Sequence, residues 1–242
     1  MPDQPRAFLV LPTYNERDNL PPIVAALQAL PVSLHILIVD DGSPDGTGAV
    51  ADELAAANPL VQVIHRPGKL GLGTAYTAGF QAALAQGAEL ILTMDADFSH
   101  DPHYVPTLIE ASRRFDLVIG SRYIPGGGVR HWGPQRRALS RGANAIAHRV
   151  LGLRARDCTA GFRCYRRAVL EAINPATIRA DGYSYLIEML FRCERAGFSV
   201  GEVPIIFVDR RLGHSKISQH EILKAALTVL RLSYHRLRDR SR

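Results

Sequence analysis

Short apolar segments alternating with helical ones through the first 119 residues constrain this chain more than anything else in it. Strand patterns fall at 7–13, 34–39, 61–65, 89–94 and 116–119. Between them, helices are expected at 15–30, 47–57, 74–85 and 102–114. Repeated strand–helix units give an α/β fold, a mostly parallel sheet flanked by helices. Two acidic clusters, Asp40-Asp41 and Asp95/Asp97, directly follow strands. Ligands of such sheets bind outside the carboxyl ends of strands, so both clusters point to one rim.

Beyond residue 120 the rhythm changes. Residues 123–134 are rich in Gly and Pro and read as a mobile loop. Helices are expected at 135–151 and 183–196, strands at 161–165 and 200–208, and a last helix from Ile217. With 242 residues, 47% of them hydrophobic, the chain can bury one substantial core, which excludes a disordered protein. Three widely spaced cysteines exclude a disulfide-stapled mini-domain and fit reduced thiols in the cytosol. No apolar stretch nears the roughly 20 residues that cross a bilayer, and no leader pattern opens the chain. A cytoplasmic protein is expected, either free or on the cytosolic face of a membrane.

The net charge of +6 is unevenly spread. Residues 1–116 carry −8, residues 117–213 carry +9 and residues 214–242 carry +5. The second half is thus suited to something anionic: a phosphorylated ligand, a membrane surface or nucleic acid.

Asp95-x-Asp97 places two carboxylates just past a strand, where they can share a hard divalent cation that also holds phosphate oxygens. Asp41 can accept hydrogen bonds from a base or ribose, although an Asx-rich turn explains the same residues without a ligand. Gly71-Leu-Gly73-Thr-Ala-Tyr76 is not a dinucleotide fingerprint: Tyr76 stands where a small residue is needed, and the run follows the third strand, not the first. Arg122, Arg130, Arg136, Arg137 and Arg141 surround the Gly-rich segment, and guanidinium forks match phosphate. They lack interleaved aromatics and no nucleic-acid-binding signature is present, so no nucleic-acid partner is expected. In the last helix Leu223, Leu227, Leu230, Tyr234 and Leu237 form a stripe, with Lys224, Arg231, His235 and Arg238 on other faces. Such a helix suits an anionic membrane surface, a partner helix or the domain's own core equally well.

Together these motifs resemble a family. Pro12-Thr-Tyr-Asn-Glu16, Val39-Asp-Asp-Gly-Ser-Pro-Asp-Gly-Thr47 and Met94-Asp-Ala-Asp97 look like family 2 glycosyltransferases of the GT-A fold. Gly120-Ser-Arg-Tyr123, Arg136-Arg-x-x-Ser-Arg141, Asp157-x-x-Ala-Gly-Phe162 and Arg210-x-x-Gly-x-Ser-Lys216 are similar to the dolichol-phosphate (polyprenol monophosphate) mannose synthases. The resemblance runs from about Phe8 to Lys216. It implies a single GT-A catalytic domain over 1–216, with 217–242 as a basic amphipathic helix that meets a membrane or a partner.

By the same resemblance, Pro12, Tyr14, Glu16, Val39 and Asp41 bind the guanosine of GDP-mannose. Asp95 and Asp97 hold Mg²⁺ or Mn²⁺ with the diphosphate. Arg122 and Arg136 grip the phosphate of a polyprenyl phosphate acceptor, and Arg210 and Lys216 contact phosphate near the C-terminal end. Ser99 stands where some members carry a Gln ligand; a hydroxyl is the poorer donor, so it is left out of the metal set. Asp157 falls where relatives that use sugar hydroxyls place a base, and is expected here to position the site. The implied reaction is inverting mannosyl transfer, giving polyprenyl phosphate mannose and GDP. The implied enzyme is peripheral, and a membrane partner subunit is among its implied partners. Two rivals remain: a related transferase using a UDP-sugar such as UDP-glucose, and a non-catalytic nucleotide-binding subunit.

Overall fold

A computed structural model describes residues 5–209 and 219–240. Its first half follows the expected alternation: β1 (Ala7–Thr13), α1 (Leu20–Gln28), β2 (Leu34–Asp40), α2 (Thr47–Ala57), β3 (Val61–His65), α3 (Leu72–Ala85) and β4 (Leu90–Thr93). Next come α4 (Val105–Ala111), β5 (Leu117–Ser121), β6 (Gly128–Arg130), α5 (Pro134–Leu151), β7 (Arg163–Arg166) and α6 (Arg167–Ile173). The last elements are α7 (Tyr183–Arg195), β8 (Val200–Pro204), β9 (Ile206–Val208) and α8 (Gln219–Arg240).

Seven strands form the main sheet in the order β3-β2-β1-β4-β7-β5-β8. All neighbours are parallel except β7, which runs antiparallel between β4 and β5. The chain winds outward from β1 to β3 on one side and starts again at β4 on the other. The carboxyl ends of β1 and β4 therefore flank the point where strand order reverses, the place where such sheets open a crevice. The central strands are apolar along their whole length because helices cover both faces: Phe8, Leu9, Val10 and Leu11 are all fully buried.

Several boundaries differ from the sequence reading for identifiable reasons. Helix α1 begins at Leu20 rather than Asn15, because Pro21 and Pro22 fit only a first turn and Asn15 adopts a left-handed φ of 60°. Pro102 and Pro106 likewise split the expected 102–114 helix into a 3-10 turn, Pro102–Tyr104, and α4. The 200–208 strand breaks at Ile205, so β8 joins the main sheet while β9 pairs in parallel with β6. Part of the segment expected as a mobile loop is thus held in a second sheet. Helix α6 had no sequence expectation. The start of the last helix, Ile217, lies outside the described residues.

Close packing of α3 on β1 depends on Gly79: a Cβ there would meet Val10 Cγ1 at 2.3 Å. We expect Gly79→Ala to lower stability by about 1–3 kcal/mol through overpacking, read as a fall in urea midpoint at unchanged slope. The three cysteines are all free and buried. Burial pushes the Cys158, Cys164 and Cys193 thiols up to about 12, so they are protonated and inert at neutral pH.

Candidate active site

The loops after β1 and β2 are stapled together by the acidic and hydroxyl residues of the 40–47 run. Asp40 accepts from the Ser43 amide and hydroxyl and from Thr13 Oγ1. The amides of Asn15, Glu16 and Arg17 donate to Ser43, Thr47 and Asp45. Asp40 and Asp45 are therefore turn-building residues. Asp41 differs, for it lines a cavity of about 680 Å³ along with Pro12, Tyr14 and Glu16. Its carboxylate accepts from Arg66 Nη1 at 2.5 Å and from the Leu70 amide. Burial pushes the Asp41 carboxyl up, and the Arg66 charge opposes that. Lys69 reaches across to lie 4.3 Å from the Tyr14 ring. Val39 does not reach the cavity: its side chain is wholly buried in the core behind Asp40.

Asp95 and Asp97 line the same cavity at the end of β4. The turn is tight: Phe98 takes a left-handed φ of 60°, and Asp97 Oδ1 accepts from the Ser99 amide at 3.0 Å. A bulky residue at such a φ is strained, and strain of this kind collects at functional sites. His100, buried, accepts from the Asp95 amide through Nδ1. Burial lowers its affinity for a proton, against the pull of Asp95 and Asp97.

On the opposite wall Arg122 makes a buried, bidentate pair with Asp157. Its Nε and Nη2 donate at 2.8 and 2.7 Å, and its own amide donates at 3.0 Å. Nη2 also reaches Thr159 Oγ1. Burial raises the Asp157 carboxyl, but the Arg122 charge and these bonds outweigh it and hold the group below the usual carboxylate range. Arg136 donates to Asp209 at 2.7 Å and lies 4.2 Å from the Trp132 ring. Arg122 also approaches Tyr123, Trp132 and Phe207. Two of these rings, Tyr123 and Trp132, already lie between Arg122 and Arg136 in the sequence, so the expectation that the arginines lack interleaved aromatics does not hold; the fold adds Phe207. Trp132 and Phe207 are nearly buried and turn to the cavity, not to solvent. Trp132 is the chain's one tryptophan in a Gly- and Pro-rich segment, a signal that could have found it. Phe207 and His100 carried no such signal. Arg210 and Lys216 lie outside the described residues.

The cavity then continues as an apolar groove. Leu139, Ile146 and Val150 of α5 face Ala226, Val229 and Leu230 of α8 across it.

A family model described as Glycosyl transferase family 2 matches residues 8–173. The chain belongs to glycosyltransferase family 2. This family 2 chain is 48% identical over 239 residues to the polyprenol monophosphomannose synthase of Mycolicibacterium smegmatis, covering 98% of this chain and 90% of that one. It is 44% identical to the undecaprenyl-phosphate mannosyltransferase of Micrococcus luteus, covering 93% of both. Among solved structures it is similar to glucosyl-3-phosphoglycerate synthase of Mycobacterium tuberculosis, crystallised with Mn²⁺, UDP and glucosyl-3-phosphoglycerate. There the TM-score is 0.67 at 19% identity, over 95% of this chain and 80% of that one. A further structure of that enzyme, with Mg²⁺ and UDP, has a TM-score of 0.65 at 20% identity over 95% and 79%. The GT-A fold expected for a family 2 glycosyltransferase is the fold observed.

The Asp95-Asp97 turn fits a divalent cation. Among the described residues no group of three or more His, Cys, Asp and Glu side chains converges, so a cation would have two carboxylates here. That suits Mg²⁺ or Mn²⁺, which keep water and substrate phosphate as further ligands. Ser99 Oγ, two residues along the chain from Asp97, is buried with no hydrogen-bond partner among the described residues, and Ser99 does not line the cavity.

Proposed function

We propose that this glycosyltransferase moves mannose from GDP-mannose to a polyprenyl phosphate at the cytosolic face of a membrane. The observation that carries the proposal is the continuity of one cavity: nucleotide-side residues, a carboxylate pair, two arginines and an apolar groove share its wall. A nucleotide sugar and a phosphorylated lipid need those surfaces in that order. The names of the two mannosyl-transferring relatives support the same reading.

Pro12, Tyr14, Glu16 and Asp41 bind the guanosine, with Val39 supporting them from the strand beneath and Lys69 closing over Tyr14. Asp95 and Asp97 hold Mg²⁺ or Mn²⁺, which when bound neutralises charge growing on the departing diphosphate. Arg122 and Arg136 orient the acceptor phosphate. One phosphate oxygen forms the new bond to the anomeric carbon as the bond to GDP breaks, which inverts that carbon. A phosphate monoester, with its second pKa near about 6, is already largely a dianion at cytosolic pH, so no side chain has to remove a proton. Asp157 agrees with this, because its carboxylate is committed to Arg122 and positions that guanidinium. Arg210 and Lys216 add phosphate contacts.

Residues 1–216 act as the catalytic domain and 217–242 as the part that meets the membrane. No helix among the described residues is long and apolar enough to cross a bilayer. Helix α8 docks through Val229 and Leu232, while Leu227, Leu230 and Tyr234 point outward. Leu139, Ile146 and Val150 of α5 are also exposed, so one apolar face borders the groove. Such a face with basic surroundings suits the headgroup boundary. We expect Leu227→Asp with Leu230→Asp to weaken binding to phosphatidylglycerol-containing vesicles by roughly tenfold or more, given ~1.5–3 kcal/mol per buried leucine. Unchanged co-sedimentation would assign the stripe another role.

The deciding experiment incubates the full chain with labelled GDP-mannose, a short polyprenyl phosphate and Mg²⁺ or Mn²⁺. Mannosyl transfer to the lipid is expected. Transfer only from UDP-glucose would move the assignment to the related glucosyl donor. No transfer from any common sugar nucleotide, with membranes added, would overturn the enzymatic reading.

A further inference from the structure

A second cavity, of about 730 Å³, lies on the far side of α7 and α8 from the active site. Arg179, Arg192, Arg195 and Arg231 line it, against one carboxylate, Glu188. Glu188 is buried, and both its oxygens are engaged: Oε1 by Arg192 Nε and Nη2, Oε2 by Arg231. Arg192 also donates to Thr177 Oγ1 and to the Thr177 carbonyl, so its fork is spent on the protein and an anion would meet Arg179, Arg195 and Arg231, over apolar ground supplied by Ile173, Phe191 and Leu232. Like charges gathered on one cavity wall repel one another, and a low-dielectric floor strengthens the repulsion. An anion relieves it, and planar guanidinium forks match phosphate oxygens in particular.

We propose that this arginine-lined cavity is a binding site for a phosphate group, separate from the catalytic one. The proposal stands independently of the reaction assigned above. The two cavities share their partitions. Leu186 and Ile187 of α7 face the active site, while Glu188 and Phe191 face the arginines. On α8, Val229 and Leu230 line the first and Arg231 and Leu232 the second. A phosphate held by Arg231 would thus bear on the same helix that walls the apolar groove.

The phosphate can belong to a free small molecule or to a lipid headgroup, and two arms separate these. In one, hydrogen–deuterium exchange of the full chain is followed with and without inorganic phosphate. In the other, it is followed with vesicles containing phosphatidylglycerol or phosphatidylcholine alone. Protection of 188–196 and 231–232 is expected in at least one arm, by phosphate for a free anion and by phosphatidylglycerol alone for a headgroup.

The double variant Arg179→Glu/Arg195→Glu should lose that protection, with apparent affinity weakened by roughly tenfold or more. Arg179→Lys/Arg195→Lys should keep most of it, which guards against a folding defect. The charge-matched variant Arg113→Glu/Arg114→Glu, on the surface beyond α4, should keep it too. Absence of protection there in both arms would overturn the site. So would equal loss in the two Glu variants, which would reduce the effect to net charge.

Discussion

Replacing Asp97 with alanine should cut metal-dependent transfer by about a thousandfold or more while leaving the fold intact. The carboxylate is nearly buried at the mouth of β4 and lines the cavity beside Asp95. In the proposed reaction the leaving diphosphate gains charge, and a bound cation offsets it by several kcal/mol. Each ~1.4 kcal/mol lost from that stabilisation is a factor of ten in rate. The alanine removes a charged group and one acceptor of a turn amide, so the unfolding midpoint should fall only slightly. Steady-state transfer across a Mn²⁺ titration, with circular dichroism as the fold control, measures both. Retained turnover at ordinary Mn²⁺ concentrations would place the metal elsewhere.

Asp157→Ala should be the most damaging single change to stability, at about 3–5 kcal/mol, because it strands Arg122 as a buried charge. Both members of the pair are nearly inaccessible, and Arg122 gives Asp157 three hydrogen bonds. Transfer should fall as well, with the KM for the acceptor rising, since the guanidinium that orients phosphate loses its support. Asp157→Asn keeps the shape and separates charge from volume. The pH dependence has a definite sign. A carboxyl held below its unfolded value stabilises the fold above that value, near about 3.9, and the contribution is lost as pH falls through the lower, folded one. Wild-type acid unfolding should therefore include a component that Asp157→Asn lacks. Urea midpoints between neutral and acid pH measure it; parallel curves for the two proteins would refute the argument.

The sheet's parallel half was legible because its strands are buried on both faces and its helices have clear periodicity. Helix α2 and strand β3 fall where the pattern put them. The antiparallel insertion of β7 was not legible, since four residues of mixed character carry no sign of strand direction. The candidate site divides in the same way. Residues adjacent to strand ends, such as Asp41, Asp95 and Arg122, could be placed from order along the chain. Phe207 is brought in by tertiary contact alone, His100 follows Asp97 closely but carries no pattern of its own, and the facing of the α8 stripe is decided only by the docking of Val229 and Leu232.

The outward apolar face of α5 and α8 also governs how the protein behaves away from a bilayer. Leu139, Ile146, Val150, Leu227, Leu230 and Tyr234 make up most of the large apolar side chains exposed among the described residues. In dilute buffer that face can leave water only against a copy of itself, a surfactant or a vessel wall. Recovery and apparent size should therefore depend on protein concentration and on detergent, and an assay begun in detergent-free buffer would measure partitioning as well as turnover.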